Sequence, residues 1–176
     1  MSKVIVLLFF LAASTADMAA ANLLKASCSR SRFPDVCTKT LSPYSTTVKT
    51  PRDLAQAAVE VSLDHTSKFS TYLGTLRGQV KKENAALGDC VELMSTSVSQ
   101  LRNSLAQLRT MKTGARDFRL KMSNVRTWMS AALTNDDTCV GGFRDVKVQV
   151  RTEFKTHLDQ VVMVTSNALY MVSCVS

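Results

Sequence analysis

LGDCVELMSTSVSQLRNSLAQL, residues 87–108, is the stretch that decides the fold. Its apolar positions Leu87, Val91, Met94, Val98, Leu101, Leu105 and Leu108 step by 4, 3, 4, 3, 4 and 3, the seam of an amphipathic helix rather than the alternation of a strand. Outward from it the same period recurs. Downstream it runs through Phe118, Met122, Val125, Met129 and Ala132, then through Phe143, Val146, Val150, Phe154, His157, Val161, Val164, Ala168 and Met171. Upstream, Leu54, Ala58, Val61, His65, Phe69, Tyr72 and Leu76 form a sparser series. All three prolines lie before residue 52, so nothing after Pro51 breaks a helix strongly. Four amphipathic stretches with short polar connections predict an all-α fold, an antiparallel four-helix bundle.

The ends carry matching signals. Thr50-Pro51-Arg52-Asp53 offers an N-cap Thr, a Pro at the first helical position and an acid at the third. Lys112-Thr113-Gly114 ends the second helix and turns it. Thr134-Asn135-Asp136-Asp137-Thr138 reads as a polar turn, and Gly141-Gly142 as a loose entry to the last helix. Helices are expected over 51–80, 85–112, 115–133 and 142–173, the bundle spanning 51–173. The segment 22–48 reads as a short helical hairpin too small to hold its own core.

Met-Ser-Lys followed by about ten apolar residues has the form of a secretory leader, too short to span a bilayer. It is expected to occupy 1–21, with cleavage between 16 and 21, leaving one domain over 22–176. Secretion places Cys28, Cys37, Cys90, Cys139 and Cys174 in an oxidising compartment, where paired cysteines form disulfides rather than metal sites. Cys28 and Cys37 can close a small local loop. Cys90, early in the second helix, and Cys139, just after the third, can meet where antiparallel packing brings those ends together. Cys174 is left over as a free thiol, expected to be buried and inert or to bridge occasionally to another molecule. The 22 Lys and Arg against 14 acids, formally +8, favour polyanions outside the cell. No second stretch of 18 apolar residues exists, so no membrane span is expected.

No catalytic constellation is found: no Gly-x-Ser-x-Gly, no phosphate-cradling loop, no His-Glu-x-x-His. His65 and His157 sit on apolar stripes and read as core or boundary residues. Asp136-Asp137 reads as a solvated turn, and the methionines as core filler. Lys81-Lys82 and Arg109-Thr110-Met111-Lys112 lack interleaved aromatics, which argues against nucleic acid. No cofactor and no metal site is expected.

Four pieces carry a resemblance. Cys28-Ser-Arg-Ser-Arg-Phe-Pro-Asp-Val-Cys37 resembles the opening motif of the plant invertase and pectin methylesterase inhibitor family, usually Cys-x-x-Thr-x-Tyr-Pro-x-x-Cys. Ala86-Leu87-Gly88-Asp89-Cys90-Val91-Glu92-Leu93 resembles the family's second-helix start. Trp128-Met129-Ser130-Ala131-Ala132-Leu133-Thr134, with Thr138-Cys139, resembles its third-helix ending, and Ser166-Asn167-Ala168-Leu169 its final motif. The resemblance spans nearly all of 22–176. It implies a four-helix bundle with an N-terminal helical hairpin, Cys28–Cys37 and Cys90–Cys139 bridges, and no enzymatic activity. It further implies a secreted protein of the apoplast and cell wall, monomeric when free, that binds a wall enzyme one to one and blocks its active site. Invertase-directed members share a Pro-Lys-Phe turn before the second helix. Lys81-Lys82-Glu83 has neither Pro nor Phe, so pectin methylesterase is the expected target and acid invertase the alternative. A third reading, of another class, is a non-inhibitory bundle that binds acidic pectin.

The chain also departs from the family. Met94 stands where Tyr is usual, Thr96 and Ser99 where acids are common, and Gly141 where an acid commonly follows the fourth cysteine. A basic protein with so neutral a contact face is expected to bind a basic esterase weakly or to prefer acidic isoforms. Glu92, Thr96, Ser99 and Asn103 share one helical face away from the Leu stripe and are the candidate target contacts. Trp128 reads as a core residue beside Met129, with a target contact as the alternative.

Overall fold

The computed structural model describes residues 17–79, 85–142 and 151–176. Six α-helices follow one another, with no strand among the described residues. The first two, α1 (17–28) and α2 (Pro34–Leu41), make the expected hairpin, followed by a one-turn 3-10 helix, Ser42–Tyr44. The bundle is α3 (Pro51–Gln79), α4 (Ala85–Thr110), α5 (Phe118–Gly142) and α6 (Arg151–Ser173). Each packs along its sequence neighbours, and α6 closes the ring against α3.

Local chemistry explains the boundaries. Asp53 N–H donates to Thr50 Oγ1 at 3.1 Å, while Asp53 Oδ2 accepts from the Thr50 and Lys49 N–H groups at 2.9 and 3.1 Å. This reciprocal capping box starts α3 where Thr50-Pro51 predicts it. At the other side, Gly114 takes φ +82° in the α4–α5 turn, a conformation that disfavours a side chain. The last carbonyls of α4 find donors on α3: Gln56 Nε2 reaches Leu108 O at 3.0 Å and Arg52 Nη1 reaches Met111 O at 2.7 Å.

The hairpin is fastened three ways. The Cys28–Cys37 disulfide, with Cα atoms 5.4 Å apart, closes it. Leu24, Leu41 and Val48 bury into the bundle's core. Buried Asn167 of α6 then clamps its turn: Phe33 N–H donates to Asn167 Oδ1 at 3.1 Å, and Asn167 Nδ2 donates to Phe33 O at 2.9 Å. The hairpin helix also begins earlier than residue 22, and Ala20 is only 3% exposed.

The core divides in two. One cluster joins the hairpin to Leu54, Leu101, Leu108, Met122, Met129 and Met171. The other holds Phe69, Leu73, Met94, Phe154 and Leu158 around the Cys90–Cys139 disulfide, whose Cα atoms lie 4.9 Å apart. Phe69 and Phe154 meet edge to face at 5.3 Å. Between the clusters lies a layer of fully buried polar side chains, at least one per bundle helix: Ser62 and Thr66, Ser97, Asp136 and Thr165.

This layer corrects three expectations. Helix α5 does not stop at 133 but runs to Gly142, so Asn135-Asp136-Asp137 is helical and Cys139 lies inside the helix. Asp136 is wholly buried, because its carboxyl faces Ser97 and Thr165 rather than water. In α3 Leu54, Ala58 and Phe69 are buried as expected, but Val59, Ser62, Thr66 and Leu73 complete the inward face, while Val61, His65 and Tyr72 are only half-buried. The hydroxyls can go inside because they find partners: Thr66 Oγ1 donates to Ser62 O at 2.8 Å, and the Ser62 and Thr165 hydroxyls are 2.9 Å apart. The expected positions Phe143, Val146 and Val150, and the Lys81-Lys82-Glu83 stretch, lie outside the described residues.

Candidate protein-binding face

Glu92, Thr96, Ser99 and Asn103 are all exposed on α4. At 100° per residue they cluster opposite Leu87, Met94, Leu101 and Leu108, which point inward. Helix regularity therefore presents them together, a polar strip along the outer surface. Ser99 Oγ is turned back to Ser95 O at 3.2 Å, so it presents its acceptor lone pairs outward.

Helix α5 braces this strip from one side. The Cys90–Cys139 disulfide holds one end. Further along, Ser97 Oγ donates to Ala132 O and shares its proton with Asp136 Oδ1, both at 3.2 Å, and Asn135 Nδ2 donates to Gln100 Oε1 at 3.3 Å. That register sets Trp128 level with Asn103. Trp128 is half-buried and belongs to neither core cluster, so it is not the core residue expected beside Met129. Its position follows from α5's core seam of Met122, Val125, Met129, Ala132 and Asp136, from which residue 128 is offset toward α4.

The disulfide end of this face is acidic although the chain is basic. No Lys or Arg occurs in 85–101 or 127–142, whereas Asp89, Glu92 and Asp137 are exposed there. The net charge thus misdescribes this end, while Thr96, Ser99 and Asn103 along the strip are neutral. Beneath it, burial raises the Asp136 carboxyl to about 7, against the weaker opposing pull of the Thr165 and Ser97 hydroxyls. Its Oδ2 has no hydrogen-bond partner.

The remaining candidates lie elsewhere. His65 is half-buried on α3, its pKa lowered by burial, and His157 is exposed on α6 with its ring 5.5 Å from Tyr72. His157 is therefore no core residue; Leu158 takes the inward position. Cys174 is exposed beyond α6 rather than buried, since Val175 fills the adjacent buried site. Among the described residues no three His, Cys, Asp or Glu side chains are grouped to hold a metal ion, and no helix is long and apolar enough to cross a membrane.

Residues 22–171 match the family model described as plant invertase/pectin methylesterase inhibitor. Pectinesterase inhibitor 3 of Arabidopsis thaliana is 43% identical over 88% of this chain and 79% of its own length. The 21 kDa protein of Daucus carota is 35% identical over 95% of this chain and 90% of its own. A crystal structure of a mutant form of an Arabidopsis pectin methylesterase inhibitor superposes with TM-score 0.70 at 15% identity, covering 85% of this chain and 94% of that one.

Proposed function

Because the chain belongs to the plant invertase/pectin methylesterase inhibitor family, we propose that it inhibits cell-wall pectin methylesterase by binding it one to one and covering its active-site cleft. The observation that carries this reading is the 43% identity, over most of both chains, to a relative named a pectinesterase inhibitor. The α4 strip with the α5 flank is the contact surface in this reading. Glu92, Thr96, Ser99 and Asn103 supply hydrogen-bonding and charge, and Trp128 supplies the aromatic anchor that few interfaces lack. The acidic rim of Asp89, Glu92 and Asp137 complements a basic esterase surface. Occlusion needs no cofactor and no catalytic group. The Cys90–Cys139 bridge holds the α4 and α5 backbones in the register that builds the strip.

In the same reading the chain is secreted to the wall as a monomer. Removal of the leader after Ala16 keeps residues 17–28 of α1, with Ala20 and Leu24 in the core. Removal after Ala21 strips Ala20 away. Titrating the oxidised protein into pectin methylesterase and acid invertase assays between pH 5 and 7.5 tests the function. Loss of esterase activity with a one-to-one endpoint is expected. Unimpaired esterase at excess protein, or selective loss of invertase activity, overturns the reading.

A further inference from the structure

Charge is sorted along the bundle by the polar layer. On the hairpin side of Ser62, Ser97, Asp136 and Thr165 the described residues carry thirteen Lys and Arg against five acids; on the disulfide side they carry four against six. Three of the five acids are already engaged: Asp53 in the α3 capping box, Glu60 with Arg109, and Asp117 with Lys121 at 2.8 Å. Lys25, Arg30 and Arg32 of the hairpin and Lys112, Arg116 and Arg119 of the α4–α5 turn are all exposed and take part in none of the ion pairs among the described residues. The topology gathers them at one end. The Asn167–Phe33 clamp holds the hairpin there, Arg52 ties α3 to Met111, and Arg126 Nη2 ties α5 to Val175 O at 3.0 Å.

We propose that this basic end binds the de-esterified, polyuronate stretches of pectin, separately from the α4 strip. The inhibitor is then held on the polymer that its target enzyme produces. The identity of the polymer rests on the function proposed above, but the binding does not require the enzyme. A linear run of carboxylates suits cations spread around a bundle end, because each contact releases counterions without demanding a shaped pocket. Base stacking is disfavoured here, since Phe33, Tyr44 and Phe118 are half-buried, the latter two packed against the core. Membrane insertion is disfavoured too: among the described residues Met18 and Leu120 are the large apolar side chains left exposed, too few for an inserting face.

The test is binding of the oxidised protein to immobilised polygalacturonate at pH 5 and low salt. Fully methyl-esterified pectin and anionic phospholipid vesicles serve as alternative surfaces. Binding to polygalacturonate alone is expected, weakening at least about tenfold when salt rises tenfold. It should stay flat between pH 5 and 7.5, because Lys, Arg and the uronate all remain charged. The triple variant Lys112→Glu, Arg116→Glu, Arg119→Glu should bind about tenfold or more weakly while inhibiting soluble esterase as the parent does. Glutamates at 116 and 119 lie at the start of α5 and favour that helix, and thermal unfolding of the variant checks that the fold is retained. The hairpin variant Lys25→Glu, Arg30→Glu provides a second, independent loss. Equal binding by both variants, equal binding to esterified pectin, stronger uptake by vesicles, or no binding at low salt each overturns the proposal. Lost esterase inhibition with polymer binding intact overturns only the function proposed above.

Discussion

Replacing Asp136 by Asn should free the stability of this protein from its steepest dependence on pH. The carboxyl lies at the centre of the bundle with no exposed surface. Ser97 Oγ reaches one oxygen at 3.2 Å, while the other has no hydrogen-bond partner. Burial therefore raises its pKa from 3.8 to about 7, with the Asp137 charge adding slightly in the same direction. Between those values the folded state holds a proton that the unfolded chain has released. Stability must then fall as pH rises, by about 1.4 kcal/mol per unit, and level off above about pH 7. The whole window amounts to about 4 kcal/mol, and the part between pH 5 and 7 to about 3 kcal/mol. For a domain of this size that corresponds to a fall in Tm of roughly 5–10 °C. His65, held below its ordinary pKa of 6.5 chiefly by burial, works oppositely, favouring the folded state as pH rises. Comparing parent and Asp136→Asn by thermal unfolding at pH 5, 6, 7 and 8 isolates the carboxyl from such other groups. The parent should lose stability across the series and the variant should not, overtaking the parent at the alkaline end. Parallel pH profiles would refute the reasoning, since they would mean that Asp136 ionises in the fold without penalty.

Three further outcomes follow from the same structure. The double variant Cys90→Ser, Cys139→Ser opens a loop of 49 residues and should cost about 4 kcal/mol in chemical denaturation, with inhibition of pectin methylesterase lost in step. Asn167→Ala leaves the Phe33 N–H and C=O without their partners, a loss of about 2–4 kcal/mol. Hydrogen exchange at Phe33 should accelerate in that variant while amides in the middle of α4 stay protected. Trp128→Ala and Glu92→Lys should each weaken inhibition by about tenfold or more with the Tm of the second unchanged, whereas Lys39→Ala, on the hairpin, should leave inhibition intact.

Much of the architecture is legible in residues 87–108 alone. Leu87, Met94, Val98, Leu101, Leu105 and Leu108 are all buried, and the period of 3.5 that joins them is a local property of the helix. The capping box at Thr50 and Asp53 is equally local, because its two partners are three residues apart. The polar layer is not legible in this way. Ser62 finds Thr165 across 103 residues, and Ser97 finds Asp136 across 39. A scan for apolar stripes places Val61 and His65 in the core instead of Ser62 and Thr66, and reads Asn135-Asp136-Asp137 as a turn. A hydroxyl or a carboxyl buries stably only where a distant chain segment supplies its partner.

Composition and spacing by themselves determine four amphipathic helices, cysteines able to pair, a basic surface and a polar strip at 92, 96, 99 and 103. The tertiary structure alone decides that α5 continues through Asp136 and Cys139, why Asp136 keeps its proton to about pH 7, and that Trp128 lies outside both core clusters. It also sorts the charges of the described residues into one basic end and one acidic end. The physical reason is common to all of these. Periodicity and capping act within a turn or two of helix, whereas burial, protonation and surface potential depend on what another helix brings alongside.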